Sequence, residues 1–132
     1  MRLFLIFSHT LTPKQIEDAQ NNWGIKQFIP LPEALQELWS NIPPELASLK
    51  SYLQPLLAWL EDNNISPQDT FLIQGDYGAT YLLVQWCHQK GLKALYSTTE
   101  RIVEEFLENN KVSIRKTFQH CRFREYERNE TW

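Results

Sequence analysis

Apolar positions along the chain change their spacing several times, and each change marks an element. Leu3 to Phe7 (LFLIF) has no polar break, so Arg2 to Phe7 is expected as a strand covered on both faces. A polar loop, Ser8-His9-Thr10-Leu11, follows. Thr12, Pro13 and Gln15 then fit an N-cap, an N1 proline and the N3 partner of a capping box, which starts a helix at about Pro13. Leu11 and Ile16 have the spacing of a hydrophobic staple. Gly24 stands at the C′ position after Trp23, and Ile25 to Ile29 predicts a short second strand. Pro30 to Asn64 is a longer helical insertion. Glu33 to Trp39 forms one short helix in it. A second begins near Pro43-Pro44 and carries Leu46, Leu49, Leu53, Leu56 and Leu60 on one stripe. Pro55 lies inside that helix and leaves the Ser51 carbonyl unbonded, so a kink or break is expected there. The stripe suits core packing against a sheet; the alternative is a dimer surface.

Thr70 to Gln74 predicts a third strand and Gly78 to Lys90 a helix, with Ala79, Leu82, Leu83, Trp86 and Cys87 on one face. Gly91 ends it, and Leu92 to Tyr96 is a fourth strand. Ser97 and Glu100 fit another capping box, leading into a short helix over RIVEEFLEN, Arg101 to Asn109. Lys111 to Glu127 is β-like, but its apolar phase flips. Val112, Ile114 and Phe118 share one parity, while Cys121 and Phe123 share the other. A turn or bulge near Gln119-His120 accounts for the flip.

Strands alternating with helices indicate an α/β fold: a mostly parallel sheet with helices on both faces, closed by a C-terminal β element. The 132 residues suit one domain, 1–132. In such sheets ligands sit beyond the carboxyl ends of the strands, where the strand order reverses. For the order 2-1-3-4 the crevice lies between the first and third strands. Three polar loops meet there: Ser8-His9-Thr10, Gly75-Asp76-Tyr77-Gly78 and Ser97-Thr98-Thr99.

Composition narrows the partners. A net charge of −3 argues against a surface that coats duplex nucleic acid, although a helix N-terminus with one or two arginines can still hold a few phosphates. No apolar run is long enough to span a membrane, and MRLFLIFSHT lacks the length and cleavage site of a signal peptide. The two cysteines, Cys87 and Cys121, have no metal spacing and are expected to be buried, reduced thiols of a cytoplasmic protein. No metal or cofactor motif is present: HExxH, GxSxG and GxGxxG are absent, and GDYG lacks the P-loop lysine.

The chain has four glycines, and two of them, Gly75 and Gly78, fall in GDYG. They suit close approach of a ligand to free N–H groups at a helix start, or an ordinary turn capped by Asp76. His9, at a strand end, suits general acid–base work or a structural role. Arg101, in the first turn of the expected helix, opposes the dipole; a bound anion or a salt bridge to Glu104 or Glu105 resolves the conflict. His120, Arg122 and Arg124 share one parity of the last strand and form a basic cluster or a solvated edge.

Four segments, FSHTLTPKQ (Phe7–Gln15), QGDYGATY (Gln74–Tyr81), STTER (Ser97–Arg101) and FQHCRFREY (Phe118–Tyr126), together resemble one family. It is that of the small stand-alone ring nucleases of type III CRISPR systems, in the Csx class, which are single Rossmann-like (CARF-like) domains. The resemblance implies a homodimer that binds a cyclic oligoadenylate, most of all cyclic tetra-adenylate, and linearises it without a metal or cofactor, switching antiviral signalling off. A ribose 2′-OH attacks the neighbouring 3′-phosphate, and the protein holds it in line. On that basis Gln74, the backbone from Gly75 through Asp76, Tyr77 and Gly78 to Ala79, with Thr80, Ser97, Thr98 and Thr99, is expected to bind the ring. His9, Ser8 and Arg101 are the expected catalytic residues. His120 and Arg122 are expected to reach the ring from the other subunit. Tyr77 suits stacking on adenine. Asp76 suits a cap or an acceptor for ribose or adenine rather than a phosphate contact.

Two rivals share the pocket. One is a module that sequesters or senses the ring without cutting it. The other is a nucleotide or methyl-donor enzyme, which needs a ribose-binding carboxylate at the end of the second strand. That strand ends Phe28-Ile29-Pro30 with Glu33 the nearest acid, which counts against it.

Overall fold

The computed structural model describes residues 1–130. The elements run β1 (Arg2–Ile6), α1 (Pro13–Asn22), β2 (Gln27–Pro30), α2 (Glu33–Ser40), α3 (Lys50–Glu61), β3 (Thr70–Ile73), α4 (Tyr77–Gln89), β4 (Lys93–Glu108) and β5 (Lys111–Glu125). They form one five-stranded sheet in the order β2-β1-β3-β4-β5. The first four strands are parallel and β5 runs antiparallel to β4. The α/β class and the strand order expected from the sequence are both present.

Alternation along the buried strands divides the core into two layers. Phe4, Ile6, Phe71, Ile73 and Ala94 face α2, α3 and α4, where they meet Trp39, Leu53, Leu56, Leu60, Leu83 and Cys87. Leu3, Phe7, Leu72, Leu95 and Phe123 face α1 and meet Ala19 and Ile25. Phe4 and Phe71, side by side in register, stack with ring centroids 5.1 Å apart. Each fully buried side chain of this kind contributes about 1.5–3 kcal/mol. At the amino end of the sheet, Arg2 makes a paired contact with the buried Asp69 (Nη2 to Oδ2, 2.7 Å; Nε to Oδ1, 3.0 Å).

Thr12 caps α1 with the reciprocal Gln15 bonds of a capping box, and Gly24 follows with φ +67°. The leucine stripe divides at the helix boundary. Leu53, Leu56 and Leu60 are buried in the core, whereas α3 starts only at Lys50 and leaves Leu46 42% exposed in the preceding turns. The core therefore uses the buried part of the stripe, which removes it as a dimer surface. The helix also continues past Pro55 instead of breaking there.

The largest departure lies in residues 97–109. The expected loop and helix are instead the outer half of a long strand, paired with β5 from Leu95↔Glu125 to Glu108↔Lys111. Ile102, Val103, Phe106 and Leu107 do have helical spacing. In the strand they divide two to a face, and the ladder satisfies every second backbone group. Asn109 and Asn110 close the hairpin with φ of 52° and 62°, the left-handed pair that a two-residue turn of the I′ type requires. A bulge between Thr98 and Thr99, opposite Arg122 and His120, leaves Cys121 unpaired and flips the phase as expected. β3 pairs with β4 only as far as Leu95, so beyond that point the hairpin leaves the body of the sheet as a two-stranded arm.

Among the described residues no helix is long and apolar enough to cross a membrane, and no cluster of His, Cys, Asp or Glu could hold a metal ion. Cys87 is buried, but Cys121 is exposed because the bulge turns it out of the ladder.

Candidate functional site

The carboxyl ends of β1 and β3 meet beneath α2, beside the point near Tyr96 and Ser97 where β4 leaves the body of the sheet. Two α2 side chains fasten them. Gln36 Nε2 donates to the Phe7 carbonyl at 3.0 Å, and the Trp39 indole N–H donates to the Gln74 carbonyl at 2.9 Å. The Gln74 side chain carries the tie onward, its Oε1 accepting from the Ser97 N–H at 2.6 Å. Gln74 thus holds β3 and β4 apart at the point where they stop pairing.

Beside it opens a cleft of about 400 Å³, lined by Gln74, Gly75, Tyr77, Thr80, Tyr96, Ser97 and Tyr126. Tyr77 is 95% exposed at the first position of α4. Tyr96 and Tyr126 pack on one another, centroids 4.7 Å apart, and the Tyr126 hydroxyl donates to the Ile73 carbonyl at 2.7 Å. Burial, and then the neighbouring Tyr96, push the Tyr126 hydroxyl pKa upward. The Thr80 hydroxyl is buried with no hydrogen-bond partner among the described residues.

The GDYG turn has a different physical basis from the one expected. A Cβ on Gly75 would stand 2.7 Å from the Trp39 indole nitrogen and 2.9 Å from Cε2, so this glycine makes room for a tryptophan. Gly78 has only ordinary contacts around its missing Cβ, at 3.5 Å or more. Asp76 is the N-cap and accepts from the Ala79 N–H at 3.0 Å, while the Thr80 N–H bonds the Asp76 carbonyl. The Ala79 N–H and buried methyl are therefore committed to the helix. The N–H groups free of the helix ladder and of the cap are those of Tyr77 and Gly78.

A second polar constellation lies on the α1 face at the base of the arm. His120, its side chain 4% exposed, bridges two partners: Nε2 to Asp18 Oδ2 at 2.7 Å and Nδ1 to the Ser97 hydroxyl at 2.5 Å. Asp18 also accepts from Asn22 Nδ2 (2.8 Å) and from the Phe123 N–H (2.7 Å). Burial pushes the Asp18 carboxyl up, but the bonds from Asn22, His120 and Phe123 outweigh it and hold its pKa below the usual carboxylate range. The relay faces a groove of about 450 Å³ that also holds Lys14, Glu17, Asn21, Glu100, Cys121 and Arg122. Ser97 thus belongs to the cleft and to the relay, and connects the two faces of the sheet.

The expected site residues are consequently split. Gln74, Gly75, Tyr77, Thr80 and Ser97 come together in the cleft; His120 and Arg122 lie in the groove. Ser8 and His9 are exposed beyond β1; Ser8 shares a hydroxyl–hydroxyl bond with Ser40 (2.9 Å), and His9 meets Phe7 edge-on. Neither lines the cleft. Thr98 binds across the hairpin to the Arg122 backbone, and Thr99 is exposed in β4. Arg101 is not at a helix start. It lies in β4 opposite Phe118, so the dipole argument for a bound anion lapses. Sequence reasoning missed Asp18, Tyr96 and Tyr126. The available signal was weak for each: an acid beside Ala19 on the inner side of α1, an aromatic closing the expected fourth strand, and one just past β5.

No solved structure matches the chain. The uncharacterized protein MJ1673 of Methanocaldococcus jannaschii is 47% identical to it over 125 residues, covering 95% of this chain and 96% of that protein. The family model described as the Uncharacterized protein MJ1673 family matches residues 1–124, and the chain belongs to that family.

Proposed function

We propose that the cleft between the end of β3 and the point where β4 leaves the sheet binds an adenine nucleotide unit of a cyclic oligoadenylate, and that the protein linearises the ring without a metal. The observation that carries this proposal is the composition of the cleft. Three tyrosines stand around Gln74, the unpartnered Thr80 hydroxyl and Ser97 at the strand ends where α/β sheets take ligands. Tyr77 offers a free ring for stacking on a base. The cleft volume suits about one nucleotide, so a four-membered ring would extend past it, toward a second copy.

Ring opening transfers the ribose 2′-OH proton to a base as that oxygen bonds phosphorus. The 5′-oxygen leaves and takes up a proton, and the product ends in a 2′,3′-cyclic phosphate. Ser97, bonded to His120 and through it to Asp18, replaces His9 as the best-placed route for such a proton. One observation favours binding without cleavage: His120 is enclosed, and neither His9 nor Arg101 lines the cleft.

Incubation of the protein with cyclic tetra-adenylate in EDTA, followed by chromatography, separates these readings. Linear products ending in a 2′,3′-cyclic phosphate, slowed by Ser97→Ala or His120→Ala more than by His9→Ala, are the expected result. A tightly bound but intact ring would establish the sequestering module instead. The absence of binding would overturn both.

A further inference from the structure

Besides Phe106, which Arg115 covers, the arm beyond the sheet carries five exposed apolar side chains: Val103 (54%), Leu107 (77%), Val112 (66%), Ile114 (58%) and Phe118 (71%). Cross-strand partners project to the same face. The pairs Arg101↔Phe118, Val103↔Lys116, Glu105↔Ile114 and Leu107↔Val112 therefore place all five on one side. The other side is covered by its own charges. Glu104 pairs Arg115 and Glu108 pairs Lys111, with the Arg115 guanidinium 5.2 Å from the centre of the Phe106 ring.

A two-stranded hairpin is at best marginally stable in water on its own. The five side chains together expose on the order of 600 Å² of apolar surface, as much as the largest patch of a typical monomer. We infer that this face is an interface with the arm of a second copy of the chain, packed antiparallel about a two-fold axis. Two arms together supply about 1,200 Å², the lower end of what specific interfaces bury.

The charges select this partner over others. The face holds Lys116 in one row and Glu105 in the next toward the tip. Antiparallel stacking lays the Val103/Lys116 row of one copy over the Glu105/Ile114 row of the other, so that each Lys116 reaches diagonally, across one strand spacing, to the Glu105 of the other copy, twice by symmetry. The same stacking lays the Arg101/Phe118 row over the apolar Leu107/Val112 row. A lipid surface would instead press the Glu105 carboxylate, in the middle of the stripe, against acyl chains or anionic headgroups. The arrangement also carries the Asn109-Asn110 tip of one copy toward the base of the other arm, where Ser97 and His120 stand. This inference does not depend on the ligand proposed above, and its test contains no ligand.

The test is sedimentation equilibrium of the full chain. The wild-type protein should be a dimer, and Leu107→Lys with Phe118→Lys should weaken association at least about 100-fold. Every substituted side chain is exposed, so an unchanged far-UV spectrum checks that the variant is folded. Glu105→Lys and Lys116→Glu should each weaken the dimer, and the two together should restore it. A wild-type protein that stays monomeric at about 100 µM would overturn the inference. So would a dimer insensitive to the arm substitutions, or failure of the double charge reversal to rescue. Partition of the wild-type monomer onto anionic vesicles would assign the face to a membrane instead.

Discussion

Replacing Gly75 by alanine isolates what the GDYG turn is for. The added Cβ would lie 2.7 Å from Trp39 Nε1, 2.9 Å from Cε2 and 3.0 Å from Cζ2, well inside contact distance. Trp39 cannot swing away cheaply, because it is 2% exposed within the core and its indole N–H is bonded to the Gln74 carbonyl. Overpacking of this kind costs about 1–3 kcal/mol. Loss of the indole bond adds about 1 kcal/mol. Gly75→Ala should therefore destabilise by about 2–4 kcal/mol, readable as a lower urea midpoint at unchanged slope and a melting temperature reduced by several degrees. Leucine at position 39 lacks the Nε1, Cε2 and Cζ2 atoms that clash. The Gly75→Ala/Trp39→Leu double variant should thus lose less than the sum of the singles, by at least about 1 kcal/mol. Gly78→Ala is the internal control: its surroundings accept a methyl, and it should stabilise α4 by about 0.5–1 kcal/mol. If Gly75→Ala keeps wild-type stability but loses ligand affinity, then close approach of a ligand, not tryptophan packing, selects the glycine, and the steric account fails.

Other expectations follow from the polar network and the thiols. Asp18→Ala leaves the Phe123 N–H and His120 Nε2 without their acceptor and should cost about 3 kcal/mol in urea unfolding; a loss below about 1 kcal/mol would mean water replaces the carboxylate. The Asp18 and Asp69 carboxyls are both held below their ordinary range, burial opposing and hydrogen bonds prevailing. A depressed native pKa gives stability that is complete above the unfolded value, about 4, and is lost as pH falls through the native value. Thermal stability should hold down to about pH 5 and fall below about pH 4, and Asp69→Asn should flatten that acid limb; an unchanged limb would exclude Asp69 as a source. Burial pushes the Cys87 thiol up to about 12, whereas Cys121 is exposed, so a thiol reagent should label one cysteine in the folded chain and the second only on unfolding.

Local chemistry made much of this protein legible in the sequence. The capping box at Thr12–Gln15, the C′ Gly24, the unbroken apolar strands and their alternation with helices determine themselves within a few residues. They yielded the elements as far as the start of the fourth strand, and the parallel sheet with its order 2-1-3-4. The bulge near His120 followed from a change of parity alone. The topology rule put the crevice between β1 and β3, with the Ser8-His9-Thr10 loop on its rim; the cleft lies one strand over, between β3 and β4, and no residue of that loop lines it. Residues 101–108 resisted because their apolar spacing fits a helix and a strand equally, and a hydrogen-bond ladder with β5, formed at a distance in sequence, decided between them. Gly75 suggested a ligand because a sequence does not show a tryptophan 36 residues earlier lying against it. Asp18 and His120 stand 102 residues apart and meet only because α1 packs on the face that β5 reaches. Spacing along the chain fixes which groups can be neighbours within an element. Which side chains share a buried volume depends on how the elements close over one another, and that is the scale at which both the relay and the arm's uncovered face were decided.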